Sequence, residues 1–342
     1  MANLKRASQQ LFSRPDDERF ETFEDLRNHC SQMKDSSSLY WHLPTEITPC
    51  PMGAELGIEI GGNGIHSLND WSFGQVCSIA DVKKETINRL GCDTASRVFR
   101  ETIPVSGKPL QLLTQGKMLR SIHGASYTRL FDADLLDMVY READRFHAPP
   151  KGFNGATGFY AGQQDMFAFL IDDSAWVEIG GEQFAPGFFV WNSEVGRRTI
   201  GIETFWFQHV CANHIVWDAI EVVQYCRKHT ANVINALDDI ESVIRRLVQT
   251  RNSRRDSFAV SMKKAMSTSI GSDADETAKA LSGRGISMSL VKSAIGMMNS
   301  QGNGFTLFNA VDALTRLTGR LTNAGDRNEQ DTRIGSLLAL AS

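Results

Sequence analysis

Residues 187–218, GFFVWNSEVGRRTIGIETFWFQHVCANHIVWD, constrain the fold more than any other stretch of this chain. Two apolar, strand-like runs flank the polar cluster Asn192-Ser193-Glu194, and Asn213-His214 follows the second run. Polar groups set between such runs are costly to bury unless paired. The segment is therefore either a hydrogen-bonded structural corner or a site. Four strands are expected around it, over 165–172, 175–179, 186–193 and 198–208, with a tight turn at Gly180-Gly181. Beyond Asp218 the strand signal stops. Ile220, Val223, Ile234, Leu237, Ile240, Ile244 and Leu247 recur at helical spacing, so a helix is expected over 219–249. Weaker helices follow to about 298, break at 301–304, resume over 305–321, and end in a last piece at 339–342.

The first half reads differently. Acidic residues 16–18 after Pro15 suit the positive end of a helix dipole and predict a helix over 16–33, with a loop at 36–38. Pro44, Pro49 and Pro51 exclude helix over 39–68. The glycines at 61, 62 and 64 follow a short strand, but Ser67 stands where a dinucleotide fingerprint needs its third glycine, which leaves a plain turn as the main reading. Helices are expected over 69–102, capped by Asn69 and Asp93. A hairpin turns at Gln115-Gly116, a helix over 132–146 is capped by Asp132, and residues 152–162 form a glycine-rich loop. Helices, hairpin, helix and then antiparallel strands argue for an α+β fold, an antiparallel sheet with flanking helices and a helical C-terminal region. The expected divisions are an N-terminal helical segment at 1–38, an α+β core at 39–217 and a helical region at 218–342.

The 342 residues carry a net charge of -4, so the basic global field usual for nucleic-acid binders is absent, although a local patch remains open. No two of the six cysteines have C-x-x-C spacing, which favours free thiols in a reducing compartment. No signal-type apolar core follows the N-terminus, and no apolar stretch reaches the ~18–20 residues that span a bilayer. A cytoplasmic protein without a membrane partner is expected. The eight histidines are scattered without ligand spacing, so neither a metal nor a cofactor is expected.

Candidate chemistry falls in three places. Glu194 could serve as a general base only if burial raised its pKa; otherwise Asn192 and Ser193 hold a turn. Cys211, Asn213 and His214 are residue types of a cysteine-protease triad, but three positions so close on one strand cannot converge on one atom. Cations are the more suggestive group. Arg197-Arg198 adjoin the polar cluster, and Arg245, Arg246, Arg251, Arg254, Arg255, Lys263 and Lys264 form a run opposed only by Asp256. Such a run either attracts a polyanion in a salt-dependent way or is a solvated helix face. Trp191, Phe205, Trp206, Phe207 and Trp217 either stack on unpaired bases or fill a sheet core.

Taken together, Phe189-x-x-Asn192-Ser193-Glu194-Val195-Gly196 and Cys211-x-Asn213-His214 resemble the phage/plasmid-like protein family, domain of unknown function 932. Its members commonly carry a strand ending in N-S-E-x-G and a second ending in C-x-N-G or C-x-N-H. The opening Leu11-Phe12-x-Arg14-Pro15-x-x-Glu18-Arg19-Phe20 and the stretch from Arg120 to Tyr127 with Arg129-Leu130-x-Asp132 are similar to it as well. The likeness spans about residues 10–340. It departs at His123-Gly124-Ala125 and at Arg197-Arg198, where small residues are usual. The resemblance implies a mobile-element setting and brings no established reaction. The leading expectation is a non-catalytic protein that binds or anneals single-stranded DNA in recombination or plasmid establishment, with a homo-oligomer as its assembled form. The alternatives are a protein-interaction module acting on host machinery through a host protein partner, and a small-ligand enzyme using Glu194 and His214.

Overall fold

Side chains along residues 166–172 and 184–192 are buried on both parities, so the strands that carry them are covered there on both faces. A computed structural model shows how; it describes residues 15–105, 107–150, 157–210, 213–217, 224–302, 304–318 and 337. In chain order, a 3-10 turn at Asp16–Glu18 leads to strand β1 (Arg19–Phe20), helix α1 (Phe23–Asp35), and strands β2 (Ser37–His42), β3 (Ile47–Met52), β4 (Glu55–Ile60) and β5 (Ile65–Leu68). Helices α2 (Asp70–Ile79), α3 (Lys84–Ile87) and α4 (Cys92–Thr102) precede the hairpin β6 (Leu110–Gln115) and β7 (Met118–His123). Helix α5 (Asp132–Glu142) leads to β8 (Phe146–His147), β9 (Phe159–Ala161), β10 (Met166–Asp172), β11 (Val177–Ile179), β12 (Glu182–Asn192), β13 (Ile200–Val210), β14 (Asn213–Trp217) and β15 (Gln224–Arg227). Helices α6 (Asn235–Gln249), α7 (Arg251–Ser267), α8 (Ala274–Ser282), α9 (Met288–Ser300) and α10 (Leu307–Thr318) follow. The chain is α+β.

Two sheets organise it. The larger runs β1-β9-β10-β12-β13-β14, with β8, β11 and β15 attached. One of its faces packs Ala168, Leu170, Phe188, Val190 and Ile202 against α1, α5 and α6. Farther along that face, Phe184 and Trp206 meet α7 to α10. The opposite parity brings Phe169, Phe189 and Phe205 together, with the Phe169 and Phe205 rings 4.1 Å apart. The smaller sheet runs β2-β6-β7-β5-β4-β3 and packs Ile58, Ile60, Leu112 and Ile122 against α2 and α4.

Several local expectations give way to stronger neighbours. The first helix begins at Phe23 because Thr22 Oγ accepts from the Asp25 amide; residues 16–20 form a turn and a strand paired with β9 instead. Residues 37–38 belong to β2, held by its pairing with β6, so the expected loop and the division at 38 fall inside a strand. Gly91 and Phe131, not Asp93 and Asp132, occupy the cap positions of α4 and α5. The helix expected over 219–249 starts only at Asn235. Before it, β15 pairs with β13, so part of the 218–342 region completes the large sheet. Gly61, Gly62 and Gly64 turn β4 into β5 with no helix opening behind them. Cys211 and residues 339–342 lie outside the described residues, as do the side chains of Arg251, Asn213, His214 and Trp217.

Candidate functional site

The Asn192-Ser193-Glu194 cluster is almost wholly buried, and each member has a partner from a distant segment. Asn192 Nδ2 donates to Leu130 O at 2.9 Å and to Asp132 Oδ1 at 2.8 Å. Ser193 Oγ donates to Gln164 O and accepts from the Arg197 amide. Glu194 Oε1 pairs with Arg120 at 2.5 Å, both side chains only 3% exposed, and Oε2 accepts from the Asp132 amide. Arg120 reaches inward because of a β-bulge: Leu113 faces Ser121 and Thr114 faces Leu119, which leaves Arg120 unpaired in the ladder and re-aimed. Burial, and then the Glu194 charge, push the Asp132 carboxyl well above its ordinary pKa. With both its oxygens engaged, Glu194 holds structure together.

The turn that follows links the two sheets. Val195 O accepts from Trp71 Nε1 on α2 at 2.8 Å and lies 2.9 Å from His123 Nε2 on β7. Glu194 O accepts from the Tyr127 hydroxyl and from Arg129, which also reaches Ser121 and Gln111. Gly196 has φ +76°, and a Cβ there would stand 2.6 Å from His123 Cε1, so glycine is required on both counts. The His123 and Tyr127 rings stack at 3.7 Å, with His229 beyond them at 5.4 Å. Burial, helped by Arg129, lowers His123 to about 4; burial also lowers His229 to about 4 and raises Tyr127.

Against this turn lies an open cleft of about 560 Å³, lined by Trp71, Gly74, Gln75 and Ser78 of α2, with Lys84, His123, Gly124, Gln164 and Arg197. Its volume is within the ~300–1,000 Å³ common for small-molecule sites. Lys84 is tied to Asp70. Arg197 is exposed, with its guanidinium 5.4 Å from the Trp71 ring centroid and no ion pair among the described residues.

Several of the other expected cations are already paired or buried. Arg198 pairs with Asp165, Arg245 with Glu142 and Glu241, and Arg255 with Asp256. Arg254 is 8% exposed and donates to Thr204, so it is a buried anchor of α7 and not a phosphate contact. Arg246, Lys263 and Lys264 are exposed. Trp191, Phe205, Trp206 and Phe207 fill the sheet core, because alternate positions on β12 and β13 are covered on both faces; they are not available to stack on bases. Among the described residues, no group of three His, Cys, Asp or Glu could hold a metal, and no helix is long and apolar enough to cross a membrane.

The cleft residues of α2 escaped the sequence reading, though a signal was present. Trp71, Gly74, Gln75 and Ser78 stand at i, i+3, i+4 and i+7, one helix face that mixes an aromatic, a glycine and polar groups opposite an apolar face. Compared with models of known families, with curated proteins and with solved structures, the chain finds no match in any of the three.

Proposed function

We propose that this chain binds single-stranded DNA without acting on it chemically, and that the cleft beside the 193–197 turn is the point of contact. Arg197 carries the reading: an exposed guanidinium without an ion pair among the described residues stands over an indole at an open cleft. A cation so placed favours a phosphate next to a ring. The exposed Arg246, Lys263 and Lys264 add positive charge elsewhere, and the resemblance to a phage- and plasmid-borne family supplies the DNA setting. A role in recombination or plasmid establishment follows from that resemblance and belongs to the same proposal.

Fluorescence anisotropy of labelled single-stranded and duplex DNA across a salt series tests it. Single strands should bind more tightly, and Arg197→Ala should weaken binding and flatten the salt slope by the ~0.7 expected for one lost phosphate contact. No binding at low salt, or binding that Arg197→Ala leaves unchanged, would end this assignment.

Self-association is a second reading with its own observation. The edge strand β2 exposes Leu39 and Trp41, and Leu43 follows them; Trp41 is 51% exposed. Light scattering that shows a monomer at high protein concentration would remove it. A host protein co-purifying without nucleic acid would instead favour the interaction-module reading.

A further inference from the structure

We infer that the cleft is a pocket for one unpaired nucleobase, entered from a strand whose phosphate lies on Arg197. This rests on the single-strand reading above and names which part of the strand enters.

The argument starts at Gly74. It sits in the interior of α2, where glycine is destabilising relative to alanine. Its φ is not positive, and a Cβ added there would meet nothing closer than Lys84 Cδ at 4.0 Å. The fold therefore does not need a glycine at this position. The space a side chain would take belongs to the cleft. Gly124 also lines the cleft, and a Cβ there would meet nothing within 4 Å. Walls stripped of side chains at two places admit a flat ring.

The remaining groups suit a base. Trp71 offers a ring fixed in orientation by its bond to Val195 O. Gln75 Oε1 is taken by the Ile122 amide, and its Nε2 lies 3.4 Å from His123 Nδ1, which leaves one N–H to donate. The Gln164 side-chain amide and the Ser78 hydroxyl have no partner among the described residues, and both line the cleft. Donors and acceptors of this kind match the edge of a base left exposed by an absent complementary strand. A paired base presents its edge to its partner and cannot enter, so the pocket discriminates against duplex.

The test compares an oligothymidylate of about a dozen nucleotides with the same strand made abasic, on the whole chain. The intact strand should bind on the order of ten-fold more tightly. Gly74→Leu, which fills the slot with a good helix former, should bring the intact strand down to the abasic level while the melting temperature holds or rises. Trp71→Ala should weaken the intact strand and spare the abasic one. Equal binding of both strands to the unaltered chain would overturn the pocket and leave the single-strand reading standing. If neither strand binds, thymidine monophosphate titrated by calorimetry decides: binding that Gly74→Leu abolishes keeps the pocket as a free-nucleotide site and removes the strand reading, and no binding removes both.

Discussion

Arg120 and Glu194 are each 3% exposed and hold one another inside the protein. Attraction within a low-dielectric interior repays the desolvation of both groups only while both are present. Arg120→Met or Glu194→Gln alone should each cost about 3–5 kcal/mol in urea unfolding, because each leaves a buried group without its counterpart. The double variant should cost less than the sum of the two, and additive losses would show that the pair is not coupled. The polar cluster at 192–194 was legible in the sequence as an oddity between apolar runs. Its partners were not, since Arg120 and Asp132 lie 74 and 62 residues away and nothing local marks the bulge that turns Arg120 inward. The cationic run was misleading in part for a related reason. A list of arginines does not say which of them, like Arg254, will point into a core.

Elements were easier to read where apolar runs were long. β10 and β13 emerged close to their true bounds, as did the hairpin of β6 and β7, and the expected break at 301–304 falls between α9 and α10; β12 begins four residues earlier than expected, and the other breaks among α6 to α9 were not read. Short elements were lost. β15 has four residues, and its strand character comes from lying beside β13 at Ile200 to Glu203, not from its own pattern. That pairing depends on close approach at Gly201, where a Cβ would stand 2.3 Å from Trp191 Cζ2 and 2.6 Å from Tyr225 O. Gly201→Ala should therefore lose about 1–3 kcal/mol through overpacking. Amide exchange should quicken along 224–227 more than along β10, and uniform quickening would refute a local effect.

Across the whole molecule, the two sheets meet where His123, Tyr127 and His229 stack, and this joint should respond to acid. Both histidines have their folded pKa lowered from 6.5 to about 4, so the native protein holds them neutral. Between those values the unfolded chain binds more protons than the native one, and stability falls as pH falls. The contribution is complete above about pH 6.5 and gone below about pH 4. The loss should be on the order of a few kcal/mol for the two together. Melting temperature followed from pH 7 to pH 4 should drop, and His229→Gln should flatten that drop; a slope unaffected by the substitution would place the acid sensitivity elsewhere. The same joint gives the Val195 carbonyl oxygen a double duty, since it faces both the Trp71 indole and the His123 imidazole. A carbonyl has two lone pairs, and here they are spoken for by two different secondary-structure elements. The turn thus ties two walls of the cleft to one another: helix α2, through the indole, and strand β7, through the imidazole, meet at the same backbone oxygen.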